Sequence, residues 1–241
     1  MRTTKIEWTE KTWNPVTGCT KFSEGCVNCY AEVMSKRLQA MGQIKYKSGF
    51  KVTIHPECLD QPLTWKKSAT IFVCSMSDLF HESISFEFID KVLDIIKQTP
   101  QHKYQILTKR AERMALYFNG KDIPSNIWLG VTVESADYKN RIDYIRNLNV
   151  RVKFLSCEPL LGDLGQINLV GINWVIVGGE SGNRARPMKE KWLLSIKEQA
   201  DKVKIPFFFK QWGTWGQDGV KRNKTSNGKL IRGKTYQEIP L

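Results

Sequence analysis

Three of the six cysteines of this chain fall within eleven residues, in the stretch TGCTKFSEGCVNCYAE, where Cys19, Cys26 and Cys29 are spaced C-x6-C-x2-C beside Gly18 and Gly25. Thiolate sulfur is a metal ligand, and a C-x2-C pair on a tight turn brings two of them to one centre. The longer spacer lets the first cysteine return to the same point. A structural zinc site closes with four ligands, and this loop supplies three. The nearest recruits are His55 and Cys58 in IHPEC, then Cys74, His81 and Cys157. A zinc site completed by Cys58 or His55 is one reading, whereas Cys74 and Cys157 read more readily as buried thiols at strand ends. The other reading is an open centre. Three cysteines on a four-iron cluster leave one iron free, which is what chemistry at the metal requires.

Catalysis without a metal has little to work with. Covalent catalysis needs a nucleophile beside a base, and the histidines are His55, His81 and His102. His81 next to Glu82 comes nearest, and it reads as an ordinary loop pair.

A loop of this kind needs a frame, and the remainder of the 241 residues has the periodicity of one. With 41% hydrophobic and 11% aromatic residues, a single large domain is expected, since α/β barrels run to about 200 to 250 residues. CYAEVMSKRLQAM predicts a helix with Ala31, Met34, Leu38 and Met41 at spacings of three and four. Residues 41–64, polar, basic and broken by Gly and Pro, read as an insertion crossing the surface. From residue 71 strands and helices alternate. TIFVCSMSDLF, YQILTKR, NIWLGVTVES, RVKFLSCEPLL, NWVIVGGESG and IPFFFKQWG read as strands, with amphipathic helices such as SFEFIDKVLDIIKQTP and EKWLLSIKEQADKV interleaved. Alternation of this kind implies parallel βαβ units.

With the tract before the cysteines, roughly seven strands suit a closed or partial β/α, TIM-like barrel over residues 1–215, and an open doubly wound sheet is the runner-up. In both, ligands sit at the strands' carboxyl ends. Those ends read Ser77-Asp78, Thr108-Lys109-Arg110, Thr132-Val133-Glu134, Ser156-Cys157-Glu158, Gly178-Gly179-Glu180 and Lys210-Gln211-Trp212. Residues 216–241 form a basic carboxyl-terminal extension with six Lys or Arg against two acids.

The chain carries 37 Lys plus Arg against 24 Asp plus Glu, a formal charge of +13. Such a surplus favours a polyanionic partner, because each neutralised phosphate releases a condensed counterion. Lys45, Lys47, Lys51, Lys66, Lys67 and the basic extension would supply the charge, and Trp212 or Trp215 the stacking platforms. The amino terminus, MRTTKIEWTEKTW, has no apolar leader, and no run approaches a membrane span. The expected setting is cytoplasmic, in a bacterial host or phage-infected cell, where thiols stay reduced.

A three-cysteine loop after the first strand of a β/α barrel, followed by a helix, resembles the radical S-adenosylmethionine enzymes. That superfamily more often uses C-x3-C-x2-C, so the first spacer here is longer. WNPVTGC, CxNCYAE, LTKR, SCEPLLG and VGGESG also resemble the phage Gp37/Gp68 family of three-Cys-motif proteins over most of the chain, and LTKR is similar to a tract in photoproduct-lyase enzymes. The resemblance implies a [4Fe-4S] cluster on Cys19, Cys26 and Cys29, with S-adenosyl-L-methionine on its free iron. Asn28 and Tyr30 would lie near the adenine, and Ser75, Ser77 and Asp78 stand where the superfamily commonly has a Gly-Gly-Glu segment for the methionyl amine. Gly178 and Gly179 would allow close approach of the adenosine, with Glu180 beside them. Thr132 and Glu134 would bond the ribose, and Lys109 or Arg110 would pair with the carboxylate.

The implied reaction is one-electron cleavage of S-adenosylmethionine to a 5′-deoxyadenosyl radical that abstracts hydrogen from a nucleic-acid base or nucleotide. An external electron donor is then required. The substrate-facing set would be Glu158, Arg184, Lys210, Gln211 and Trp212. Phage DNA base hypermodification is the favoured role, with lesion repair beside it. The alternative is a non-catalytic, zinc-bearing nucleic-acid-binding protein.

Overall fold

The structure is a computed structural model that describes residue 4 and residues 6–240. The chain divides into two compact units, one of them made of the described residues up to Phe22 with Cys29–Leu129 and Leu148–Arg151. The other comprises Ser23–Asn28, Gly130–Asn147 and the described residues from Val152 onward.

In the first unit β1 (Lys11–Trp13) is followed by β2 (Val16–Thr17), α1 (Tyr30–Ala40) and β3 (Thr53–Ile54). Then come β4 (Thr70–Val73), α2 (Phe86–Gln98), β5 (Lys103–Thr108) and α3 (Ala111–Phe118). β1, β4 and β5 pair in parallel, with Trp13 opposite Val73 and Val73 opposite Ile106. α2 buries Phe88, Ile89, Val92, Leu93, Ile95 and Ile96 on one face, as its period demands. Ser85 caps its first turn by accepting from the Phe88 amide at 3.3 Å. It stops before Pro100, where Thr99 Oγ1 turns back to the Ile95 carbonyl at 2.7 Å.

Two expectations for this unit change. β4 ends at Val73 instead of running through SMSDLF, because Cys74 takes a φ of 58° and turns the chain. The series Ala31, Met34, Leu38 and Met41 is not one buried face: Ala31 is buried and Leu38 half-buried, whereas Met34 and Met41 are 40% and 61% exposed. The buried residues of α1 are Ala31 and Ser35, small side chains that let its backbone lie close to what is beneath it. Residues 41–64, read as a surface insertion, are tied to the chain around β1 and β2. β3 pairs antiparallel with β2, His55 N donates to the Pro15 carbonyl at 2.8 Å, and Trp13 Nε1 donates to the Cys58 carbonyl at 2.8 Å.

β6 (Ile127–Thr132) is followed by α4 (Arg141–Arg146), β7 (Val152–Cys157), β8 (Trp174–Gly178), α5 (Glu190–Lys202), β9 (Phe207–Gln211) and the single turn α6 (Lys224–Asn227). In the second unit β7, β8 and β9 pair in parallel, with Ser156 opposite Ile176 and Val177 opposite Phe209. Every residue of β8 is buried, which explains its unbroken apolar run. The basic extension folds back on β9: Phe209 N donates to the Tyr236 carbonyl at 2.7 Å, and Gln237 bridges Phe208 antiparallel. A sheet edge is thereby covered.

The seven strands form one parallel sheet in the order β1-β4-β5-β6-β7-β8-β9. This is the partial β/α barrel of the two sequence expectations, with β1 and β9 as its end strands. Among the described residues no helix is long and apolar enough to cross a membrane.

Candidate functional site

The first unit holds Cys19 and Cys29. Gly18 has a φ of 79°, and a Cβ there would stand 2.1 Å from the Lys51 carbonyl oxygen, so only glycine fits. Its amide donates to the Met76 carbonyl at 3.0 Å, and the Cys19 amide to Phe50 at 3.2 Å. Cys19 Sγ lies 3.6 Å from Arg110 NH1, and Arg110 NH2 reaches Thr20 Oγ1 at 3.1 Å. Thr20 Oγ1 also meets His81 Nε2 at 2.8 Å.

Behind this contact Arg110 binds two carboxylates, Glu82 through Nε at 2.8 Å and Asp78 through NH1 at 3.3 Å. Burial alone would lower the Arg110 pKa, but Asp78 and Glu82 outweigh it and hold the group above its ordinary value. Burial likewise works against the Glu82 carboxylate, yet the Arg110 hydrogen bond leaves its pKa below the usual range.

Asp78, expected at the methionyl amine, is a hub inside the protein. Oδ1 accepts from Thr108 Oγ1 at 2.7 Å and Phe80 N at 3.0 Å, and Oδ2 accepts from Lys109 N at 3.2 Å as well as from Arg110. Ser77 Oγ donates to the Val16 carbonyl at 3.0 Å, Ser75 Oγ to Asn14 Oδ1 at 3.1 Å, and Tyr30 OH to the Ser75 carbonyl. The end of β4 therefore holds the chain that enters the cysteine loop.

In the second unit, which holds Cys26, Glu134 is fully buried. It accepts from the Ser23 hydroxyl, and its other oxygen takes Arg141 NH1 at 2.6 Å. A Cβ on Gly25 would lie 2.6 Å from Glu134 Cγ. Glu180 Oε2 accepts from Asn28 Nδ2 at 3.0 Å and from Arg186 N at 2.8 Å, while Oε1 accepts from Arg186 NH2 at 2.6 Å. Burial pushes the Glu180 pKa up, and the Arg186 and Asn28 hydrogen bonds overcome it, leaving the carboxyl below its ordinary value. Arg186 NH2 also donates to the Glu24 carbonyl at 3.0 Å.

Several residues expected at the cofactor have partners inside the protein. Glu134 and Thr132, placed at the ribose by resemblance, are buried, and the Thr132 carbonyl accepts from Arg141 at 2.8 Å. Glu180 and Asn28 hold each other. Gly179 lacks a side chain because the Trp212 carbonyl oxygen would stand 1.9 Å from its Cβ. Trp212 itself is 1% exposed, packs 5.1 Å from Phe209 and donates Nε1 to Leu230, so it offers no stacking surface.

The remaining strand-end groups of this unit form a separate pair. Lys210 Nζ lies 3.2 Å from Glu158 Oε1, and a Cβ on Gly178 would fall 2.4 Å from that same oxygen. Gln211 Nε2 donates to Ser181 Oγ at 3.2 Å, and Arg184 is exposed.

None of the six cysteines is joined in a disulfide, and Cys19, Cys26, Cys29 and Cys58 are half-buried. Among the described residues no three His, Cys, Asp or Glu side chains are grouped so as to hold a metal ion. Each candidate for a fourth zinc ligand has partners of its own or is enclosed. His55 uses Nε2 on Thr17 at 2.8 Å and Nδ1 on Glu57 at 3.1 Å. His81 uses Nε2 on Thr20, and Nδ1 accepts from Ser83 N at 3.1 Å. Cys58 Sγ meets Lys45 Nζ at 3.2 Å. Cys74 and Cys157 are fully buried, with burial pushing the Cys74 pKa up to about 12 and the Cys157 pKa up as well. The recruits for a fourth zinc ligand are engaged or enclosed, and Cys19, Cys26 and Cys29 are the three thiols that the loop itself would offer a metal centre.

Sequence reasoning named Arg110 only at a strand end and as an alternative to Lys109, read Glu82 as a loop partner of His81, and did not place Arg141 or Arg186 at all. A cation near each strand-end carboxylate was the available signal.

A family model described as a protein of unknown function, DUF5131, matches residues 3–240. The likeness of the motifs to the phage Gp37/Gp68 family remains a resemblance; the family shown is this one. No curated protein matches the chain. Among solved structures, a spore photoproduct lyase variant with bound AdoMet and dinucleoside spore photoproduct is similar at 11% identity and a TM-score of 0.47, over 83% of this chain and 65% of that one. A second variant of spore photoproduct lyase is similar at 12% identity and a TM-score of 0.45, over 84% and 65%. The chain spans about 65% of the length of these structures.

Proposed function

Because the chain belongs to the DUF5131 family, whose description names no activity, its chemistry has to come from its own residues, and we propose that it is a radical S-adenosylmethionine enzyme acting on a nucleic-acid base or nucleotide. The observation that carries this reading is the donor set. Three half-buried thiols share one short loop, and every histidine or cysteine near enough in sequence to complete a zinc site is already engaged or enclosed.

Cys19, Cys26 and Cys29 would hold a [4Fe-4S] cluster with S-adenosyl-L-methionine at the remaining iron. When bound, the pair supplies a reducing electron and a carbon-centred oxidant of C–H bonds. The chain's part is positional. Glu134 and Glu180 restrain the loop at Ser23 and Asn28, and Arg110 restrains it at Cys19 and Thr20. Glu158 and Lys210 offer an adjacent acceptor and donor that suit the edge of a base, and Gly178 makes the space that the Glu158 carboxylate occupies.

A nucleic-acid substrate is supported by the charge of +13 and by exposed Lys221, Arg222, Lys224, Arg232 and Lys234 in the extension. DNA is the favoured polymer, with base modification ahead of lesion repair. The electron comes from an external donor, and cysteines outside any disulfide suit a reducing, cytoplasmic setting.

The test is anaerobic reconstitution followed by assay of iron, sulfide and zinc, then addition of S-adenosylmethionine and a reductant. Iron, sulfide and 5′-deoxyadenosine are the expected result. Stoichiometric zinc without iron would overturn the reading in favour of a zinc-bearing binding protein. Absence of salt-dependent affinity for DNA or RNA would remove the nucleic-acid substrate alone.

A further inference from the structure

We propose that Arg110 is a positioning residue for the cysteine loop whose charge also sets how readily the bound cluster is reduced. This rests on reading Cys19 as a cluster ligand. The guanidinium presents NH1 to Cys19 Sγ at 3.6 Å and NH2 to Thr20 Oγ1 at 3.1 Å, so one planar group addresses the ligand and the residue after it. It is 3% exposed, and the Phe22 ring lies 4.8 Å from its carbon, so water screens it little. Its remaining donors are fixed by Glu82 at 2.8 and 3.0 Å and by Asp78 at 3.3 Å. Only an arginine fork can serve two carboxylates and the loop at once; a lysine is a point charge with three donors.

Hydrogen bonds and positive charge at a cluster sulfur stabilise the reduced, more negative form and raise the reduction potential. Glu82 opposes this by offsetting part of the guanidinium charge. The two residues therefore act in opposite directions, which a merely structural role would not produce. Glu82 is also the tractable partner, because its side chain is 58% exposed and its amide variant leaves the buried Asp78 pair in place.

The experiment is a redox titration of the anaerobically reconstituted full chain, followed by electron paramagnetic resonance of the reduced cluster, for wild type, Arg110→Lys, Arg110→Gln and Glu82→Gln. Iron and sulfide are assayed on the same samples. Arg110→Gln is expected to make the midpoint more negative, lowering the reduced-to-oxidised ratio at a fixed poise about tenfold, which is about 59 mV for one electron. Arg110→Lys falls between, and Glu82→Gln shifts the other way. If Arg110→Gln fails to load, the Glu82→Gln shift decides alone. Unchanged midpoints in loaded variants, or a shift of the same sign in both, would overturn the role of Arg110 and leave the functional reading standing. Wild-type protein that takes up no iron and sulfide would overturn both, and shows this before any variant is compared.

Discussion

Asn28 donates its side-chain amide to Glu180 Oε2 at 3.0 Å, which ties the residue before Cys29 to the segment that follows β8. The same carboxylate takes three donors from Arg186, so its position is over-determined. Loop geometry in the second unit is inherited from the strand end and not from the loop's own sequence.

Glu180→Gln is expected to cost about 1.5–3 kcal/mol at neutral pH, the usual worth of hydrogen bonds to a buried charged group. The folded pKa of Glu180 lies below its ordinary value, so its contribution is present above the unfolded carboxylate pKa and is lost as pH falls through the folded one. Urea denaturation at neutral and mildly acid pH checks both parts. The gap between wild type and variant should narrow on acidification.

Gly25→Ala is expected to destabilise the protein by about 1–3 kcal/mol, the range for overpacking a well-filled site. The new methyl would meet Glu134 Cγ at 2.6 Å and Oε1 at 2.7 Å, and Glu134 cannot swing aside while Arg141 and Ser23 hold it. Because the clash is with one side chain, the double variant Gly25→Ala, Glu134→Ala should lose less than the sum of the two single changes. Additive losses in denaturation midpoints would mean that the cost lies elsewhere.

The histidines make a third expectation. His55, His81 and His102 are buried, and burial pushes each pKa below the ordinary value. Around neutrality the unfolded chain then binds more protons than the native one, so stability rises with pH. The thermal midpoint should fall between about pH 7.5 and about pH 5.5. A flat profile over that window would contradict the shared direction of the three shifts.

How much of this could be read beforehand depended on whether a residue's role is local. The alternation of VIVG-like runs with amphipathic helices fixes parallel pairing, and β8 and α2 fold as that pattern requires. The cysteine loop stands out in the sequence because three thiols at short spacing are a donor set for a metal. The buried face of α1 was not legible, since Met34 and Met41 keep helical spacing whether they point inward or out, and Ala31, of the same series, and Ser35 are too small to mark the buried side. Strand-end acids such as Glu134 and Glu180 look the same in sequence whether they bind a ligand or a neighbouring loop. The long-range partners Ser23, Asn28, Arg141 and Arg186, which no local pattern announces, hold these two carboxylates in the structure. Trp212 was misjudged for a similar reason, because the extension that accepts its indole through Leu230 is remote in sequence and carries no apolar period.

The cysteines themselves give the last expectation, which separates ligands from bystanders. Cys74 and Cys157 are enclosed, and burial pushes both thiols well above their ordinary pKa, to about 12 for Cys74. The thiolate is the reactive form, so neither should react with iodoacetamide in the native metal-free chain. Cys19, Cys26, Cys29 and Cys58 are half-buried and should all be labelled. Loading then divides this second group. A three-cysteine centre protects Cys19, Cys26 and Cys29 and leaves Cys58 open, whereas a zinc site that recruited Cys58 would protect all four. Peptide mass mapping of the labelled protein with and without metal reads the difference directly. Variants give the same division by another route: Cys58→Ala should retain bound iron, and alanine at any one of Cys19, Cys26 or Cys29 should lose most of it while the secondary-structure spectrum is unchanged. Protection of Cys58 together with the other three would return the loop to a closed four-ligand site.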